Sequence, residues 1–272
     1  MPVPEATASG PEFDLPPPAA PLRTVLIAST PRTGSTLLGD ALSQMGICGV
    51  PQEYLNPRQL QAFGQRLGPV PLPTYVRWLQ QHRTTSNGVF ALKAHHQQIA
   101  DAGIANADAL RTLFPAMRIV WIQRKDKARQ AVSYSRAAQT QSWQSTNKNT
   151  VKPEYRYEHI LGALSDIWKQ NLAWQQLFTT LSCPPVTVTY EALVGAYAPT
   201  LSRLVGELRL ADPATVAIPP PPQAPMQSPE RQVWSARFRE EALSNGISEK
   251  LLGRAEPRGT GTPTVARLQD RD

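Results

Sequence analysis

The residues best equipped for chemistry lie together in residues 24–46, TVLIASTPRTGSTLLGDALSQMG. Its centre, Pro31-Arg32-Thr33-Gly34-Ser35-Thr36, sets a guanidinium, three hydroxyls and a glycine side by side. An apolar run, Val25 to Ala28, precedes this turn, and an amphipathic helical pattern opens near Ser35. A strand that passes through a tight turn into a helix makes an anion site. The first N–H groups of the helix have no intrahelical partner, and that end of the helix dipole is positive. Gly34, lacking a Cβ, lets the backbone approach a ligand. Thr33, Ser35 and Thr36 add hydroxyl donors, and Arg32 adds a fixed fork of N–H groups. The plainer alternative is a structural turn with ordinary capping residues.

What the turn lacks narrows the anion. A nucleotide P-loop follows GxxxxGK[ST] and cradles several phosphates. Here only Gly34 is present, and no lysine precedes Ser35. Asp126 follows a strand-like run, but Arg124 and Lys125 come first and would repel Mg²⁺. The pattern speaks against a kinase or NTPase and suits a smaller anionic group bound without metal. Arg124 leaves the end of the run 118–123, and Ser133 lies within the following helix; the pair can hold a second phosphate, unless they are a surface arginine and a helix-face serine.

Ligands of open parallel sheets bind beyond the C-terminal strand ends. Arg32, Lys93 and Arg124 are therefore expected in one crevice. Glu53, in the loop 46–56, can return to that crevice and withdraw a proton from an acceptor hydroxyl; the alternative is a loop carboxylate in a surface ion pair. Lys93 is a candidate catalytic helper or a strand-end lysine paired with a carboxylate. His95 and His96 are adjacent rather than at metal spacing. They read as core or surface histidines that could touch substrate. Trp168 and Trp174 read as core, and Trp143 as facing a ligand.

The elements that must position these residues are legible as short apolar runs alternating with helical patterns. Strands are expected at 24–29, 89–92, 118–123 and 185–189. Helices are expected from Ser35, at 58–67, 74–83, 106–114 and 127–140 (capped by Asp126), at 154–181 as one helix or a broken pair, at 191–208 and near 230–243. Ile160, Leu164, Ile167, Trp168, Leu172 and Trp174 make the apolar face of the long segment. This alternation predicts an α/β fold, a parallel sheet flanked by helices.

The 272 residues suit one large α/β domain. The 27 prolines are twice the usual share, concentrated before residue 22 and between 213 and 229. The expected organisation is a flexible proline-rich arm at 1–22, a domain at 23–250 containing a proline-rich connector at 213–229, and a flexible tail at 251–272. No run fits a signal peptide or a membrane span, which predicts no stable membrane insertion. Two cysteines form no disulfide framework and suit a reducing, cytoplasmic setting. The net charge of +7, mostly arginine, suits an anionic partner. No long Lys/Arg run favours nucleic acid, and none is expected as partner.

Two anion sites in one crevice, without a GK step or a metal ligand, match a sulfotransferase, whose donor 3′-phosphoadenylyl sulfate (PAPS) carries a 5′-phosphosulfate and a 3′-phosphate. The chain resembles the bacterial trehalose 2-sulfotransferase family, a P-loop-like sulfotransferase fold. The resemblance is carried by STPRTGSTLL, by PQEYL at 51–55, by NGVFALK at 87–93, by RKDKARQAVSYSRAAQTQSW at 124–143 and by VTYEAL at 188–193. It implies that Arg32, Thr33, Gly34, Ser35 and Thr36 cradle the 5′-phosphosulfate, that Arg124 and Ser133 hold the 3′-phosphate, and that Glu53 is the catalytic base. It further implies a carbohydrate or glycolipid acceptor, a homodimer and no metal. Arg124-Lys125-Asp126, Tyr134-Ser135 and the segment 94–116 depart from the family pattern near the acceptor. A small-molecule kinase and a non-catalytic nucleotide-binding homologue are the alternatives.

Overall fold

The computed structural model describes residues 9–18, 20–143, 151–221 and 229–253. Parts of the arm and of the connector, residues 144–150 and most of the tail lie outside them. Along the chain come β1 (Arg23–Ser29), α1 (Ser35–Gln44), α2 (Pro57–Leu67), α3 (Leu72–His82), β2 (Val89–His95), α4 (His96–Asp101) and α5 (Ala107–Leu113). Then follow β3 (Met117–Gln123), α6 (Lys127–Thr140), α7 (Tyr157–Thr180), β4 (Val186–Thr189), α8 (Tyr190–Gly195), α9 (Tyr197–Glu207), α10 (Pro229–Ser244) and α11 (Glu249–Leu252). The four strands form one parallel sheet in the order β2-β1-β3-β4. The chain leaves β1 first toward β2 and later crosses to β3, so the sheet changes direction at β1. The C-terminal end of β1 is where such sheets open a crevice.

Alternation along β1 divides the core. Leu26 and Ala28 face one layer with Phe90, Leu92, Trp121, Trp174 and Phe178. Val25 and Ile27 face the other, with Leu38 and Leu42 of α1 and Leu201, Leu204 and Val205 of α9. Both faces of the sheet are buried, as helix-covered parallel strands require. A third cluster joins Ala128, Ala131 and Val132 of α6 to Ile160, Leu164 and Ile167 of α7 and to Trp234, Phe238 and Leu252 of α10 and α11.

The long segment is one helix, α7. Its first half packs on α6 and α10, and its second half, through Trp174 and Phe178, packs on the sheet. Leu172, expected on the apolar face, points to solvent. The expected helix at 191–208 divides at Ala196, which takes a non-helical backbone (φ −141°, ψ 59°). The second strand continues past Leu92 to His95, so Lys93 lies within it, opposite Ile27. A short helix, α4, follows directly and was not anticipated.

The arm is not loose where it is described. Pro11–Phe13 form a 3-10 turn, and Leu15 N–H donates to His82 O at 2.8 Å. Asp14 pairs with Arg66 and with the fully buried Arg83. Arg66 and Arg83 both lie over the Trp78 ring, at 4.6 and 5.4 Å. A buried guanidinium needs a carboxylate nearby, and this proline-rich segment supplies it. The chain also stays ordered past residue 250, through α11 and the buried Leu252.

Burial alone would raise the Asp14 carboxyl, but the hydrogen bonds and charges of Arg66 and Arg83 outweigh it and hold it below the usual carboxylate value. A depressed folded-state value contributes stability above the unfolded value, lost as pH falls through the folded one. Asp14→Asn is expected to lower stability by about 2–3 kcal/mol at pH 7. Urea unfolding should show that difference shrinking below about pH 4.

Candidate active site

The turn after β1 is held from three sides. Trp174 of α7 donates its indole N–H to Ser29 O at 2.8 Å. Gln130 of α6 donates to Thr30 Oγ1 at 2.8 Å and to Pro31 O at 2.7 Å. Within the turn, Thr33 Oγ1 donates to Thr30 O at 3.0 Å. These clamps support a backbone that L-residues rarely adopt: Arg32 has φ 67° and Gly34 φ 89°. An arginine in the left-handed region costs about 1–3 kcal/mol and persists only where its surroundings fix it. Gly34 is also sterically required, because a Cβ there would lie 2.6 Å from Tyr190 Cδ2. As N-cap of α1 it places no side chain over the first N–H groups of the helix, leaving that end available to an anion.

The structure brings Arg32 and Ser133 together: Arg32 Nε donates to Ser133 Oγ at 3.0 Å. Arg32 also donates to the backbone carbonyl of Trp143, so Trp143 lies at the site through its main chain. Its ring leans on Tyr134, 5.9 Å between centroids. Arg124, largely buried, stacks over Tyr190 at 4.6 Å. Arg32 is depressed to about 10, first by burial and then by the positive charges of Arg231 and Arg124. Arg231 is lowered in turn by burial and by Arg136, Arg124 and Arg129. A pocket that crowds guanidinium groups is electrostatically incomplete without an anion.

Arg231 was not singled out from the sequence. It is delivered by α10, which packs on α6 through Trp234 and Phe238. Arg136 fixes that end of α10, pairing with Glu230 at 3.0 Å and stacking on Trp234 at 4.6 Å. The sequence signal there was a weaker echo of the family resemblance near Arg231–Arg239, which gave Arg231 no role. The turn after β3 is braced separately. Asp126 accepts from Arg129 N–H at 2.9 Å, as the expected cap, and pairs with Arg239 at 2.9 Å. Glu191 accepts from Lys125 N–H at 2.8 Å.

Glu53 does return to the crevice, and the backbone shows how. Gln52 bridges to Leu92 in parallel fashion, and Lys93 N–H donates to Gln52 O at 2.8 Å. The loop thus runs beside β2 like a one-residue strand. Tyr54 and Leu55, fully buried, anchor the residues that follow. Glu53 is buried, and its Oε2 accepts from Gln98 Nε2 at 2.8 Å and from Asn56 Nδ2 at 3.2 Å. The alternative of a surface ion pair is set aside by that burial. His95 Nε2 lies 3.6 Å from Glu53 Oε1. The two adjacent histidines therefore differ in placement: His95 faces the carboxylate, and His96 packs edge-on against Trp174. Lys93 is nearly fully buried, and its Nζ lies 3.4 Å from Thr36 Oγ1 in the first turn of α1.

Thr33 and Ser35 are buried and Gly34 and Thr36 half-buried, all at the mouth of α1. Among the described residues no group of three or more His, Cys, Asp or Glu is placed to hold a metal ion, and no helix is long and apolar enough to cross a membrane.

The parallel sheet thus brings to one end the turn after β1, Arg124 at the end of β3 and the carboxylate of Glu53 beside β2. A family model described as Stf0 sulphotransferase matches residues 24–241, and the chain belongs to that family. It is similar to the trehalose 2-sulfotransferase of Mycobacterium tuberculosis, at 26% identity over 83% of this chain and 98% of that protein. The trehalose 2-sulfotransferase of Mycolicibacterium smegmatis is 25% identical over 82% of this chain and 96% of its own. Among solved structures, a sulfotransferase domain from the curacin biosynthetic pathway covers 83% of this chain and 98% of that domain, with TM-score 0.49 and 14% identity. The protein is a sulfotransferase.

Gly34→Ala is expected to strain the turn twice, through φ and through Tyr190. A loss of about 1–3 kcal/mol in thermal or urea unfolding is the expected outcome.

Proposed function

We propose that the protein transfers a sulfuryl group from 3′-phosphoadenylyl sulfate to a hydroxyl of a carbohydrate or glycolipid acceptor, with a trehalose-like disaccharide the first candidate. The observation that carries the donor assignment is the half-buried Arg32, depressed by desolvation and then by two neighbouring arginines, and hydrogen-bonded to Ser133. A donor with separate 5′ and 3′ anionic groups answers both the turn at α1 and the cations brought by β3 and α10. On this reading Arg32, Thr33, Gly34, Ser35 and Thr36 take the 5′-phosphosulfate. Arg124 and Ser133 take the 3′-phosphate, with Arg231 adding charge beside them. The acceptor assignment is supported by the names of the two mycobacterial relatives. It is supported also by the polar groups beside Glu53, namely Asn56, Gln98 and His95.

The reaction is an in-line displacement at sulfur. The acceptor oxygen forms a new S–O bond as its proton passes to Glu53. The S–O bond to the 5′-phosphate breaks, and its electron pair leaves on 3′,5′-adenosine bisphosphate. Charge grows on that phosphate, where Arg32 and the N–H groups of α1 are already aimed, so little reorganisation is needed as it develops. Lys93, next to Thr36, adds a positive charge to the same end. The free thiols Cys48 and Cys183 suit a reducing compartment. The enzyme is accordingly assigned to the cytoplasm, and the family resemblance supports a homodimer.

Titration calorimetry with 3′,5′-adenosine bisphosphate tests the donor site. Wild-type protein should bind, and Arg32→Ala should weaken binding about tenfold or more. No heat at millimolar nucleotide would overturn the assignment. Transfer of radiolabelled sulfuryl groups to trehalose and a panel of other sugars tests the acceptor. Glu53→Gln should keep nucleotide affinity and lose about a hundredfold or more in kcat; near-normal turnover removes Glu53 from the role of base.

A further inference from the structure

Glu53 is a carboxylate buried beside a sheet edge, yet it must be ionised to accept a proton. Burial disfavours the charged form, and N–H donors to the carboxylate restore it. Two donors are amides. The Gln98 side chain is oriented for this task, because its Oε1 accepts from His95 N–H at 3.0 Å and leaves its amide hydrogens for Glu53 Oε2. Asn56 serves the same oxygen. The other oxygen, Oε1, faces His95 Nε2.

The ring of His95 is held from behind. Ser29, the last residue of β1, pairs with His95 in the parallel register of β1 and β2. Its Oγ lies 3.0 Å from His95 Nδ1 and 3.3 Å from Ala94 O. The hydroxyl has one hydrogen and two acceptors within reach, and it is given to Nδ1, the nearer of them, rather than to Ala94 O. The neutral ring then carries its hydrogen on Nε2, the atom turned to Glu53. That tautomer sets an N–H against a carboxylate oxygen; the opposite one would set a lone pair against it. At 3.6 Å the contact is longer than a closed hydrogen bond, as catalytic contacts often are without substrate.

Resting on Glu53 as base, we propose that His95 is its positioning residue, with Ser29 fixing the tautomer. His95 aims Oε1 at the acceptor hydroxyl and keeps the carboxylate ionised over the working pH range. No new bond is made to His95. The acceptor's proton goes to Glu53 and afterwards to solvent. The other charged and titratable groups around the pair are Lys93 on β2, Asp40 on α1 and Arg58 at the start of α2, with His96 on α4. Lys93 acts on Asp40 electrostatically, Arg58 is tied to Gln141 at 3.1 Å, and His96 packs on Trp174.

The test is the pH dependence of kcat, with trehalose as acceptor and, in parallel, with water as acceptor through hydrolysis of the donor. The base works deprotonated, so the rate falls on the acid side as it protonates. Losing an N–H donor makes protonation easier, so the acid limb must move to higher pH. His95→Phe should move it up by about one unit and lower kcat about tenfold at neutral pH. His95→Gln, which keeps an N–H, should restore part of the shift, and 3′,5′-adenosine bisphosphate should bind all variants within about twofold. An unshifted acid limb in His95→Phe, with Glu53→Gln inactive, overturns the role of His95 and leaves Glu53 standing. Near-normal turnover by Glu53→Gln overturns the base itself. If His95→Phe fails to bind nucleotide, Ser29→Ala decides. It should move the limb the same way by a smaller amount, and no movement would refute the proposal.

Discussion

Repulsion among closely placed arginines is the constraint around which this molecule is organised. Arg32, Arg124 and Arg231 come from three distant parts of the chain; burial and then the charges of Arg231 and Arg124 depress Arg32, and burial and the charges of Arg136, Arg124 and Arg129 lower Arg231. Left to itself, such a pocket would push apart. It is kept closed by interactions that do not depend on the ligand: the Gln130 and Trp174 clamps on the first turn, the Asp126–Arg239 and Glu191 braces on the second, and the aromatic seam of α6, α7 and α10. The scaffold holds charge in place before any anion arrives, which is the condition for electrostatic preorganisation.

The opposite wall of the crevice follows a different logic. Its carboxylate, Glu53, is met by two side-chain amides, Gln98 and Asn56, with the imidazole of His95 facing its other oxygen. Amide donors stabilise a carboxylate without pinning it in a tight ion pair. A lysine is close by on the same strand, but its ammonium reaches toward Thr36 and the other side of the site. The two walls thus keep the arginine cluster apart from the carboxylate.

Much of this was legible in the residues. The strands read as apolar runs, and Arg32, Lys93 and Arg124 were expected in one crevice from where those runs end, with Glu53 returning to it from a loop. What the sequence could not show was register. The length of β2 depends on Lys93, Ala94 and His95 pairing with β1, and nothing in their side chains marks them as strand. Without that pairing, His95 and His96 look equivalent; with it, one meets Glu53 and the other Trp174. The described part of the arm shows a related effect. Its prolines suggest loose chain, but Asp14 among them meets two arginines of the domain, one of them fully buried, and long-range ion pairs leave no local pattern. Arg231 was missed because only the packing of α10 on α6 brings it to the pocket.

The arrangement of α10 has a bearing on biogenesis. Chains emerge from the ribosome amino end first, and contacts between distant segments form late. The turn that begins the donor site lies in the first strand, whereas Arg231 lies in the penultimate described helix, with Gly253 seated against Lys125 behind it. A nascent chain that has made the sheet but not yet α10 holds Arg32 and Arg124 without their third partner. Less repulsion is then present, and the seam formed by Trp234 and Phe238 is still open. The site is therefore assembled at its most charged only when the aromatic seam that can withstand that charge closes with it, so that the electrostatic load and its support arrive on the same helix.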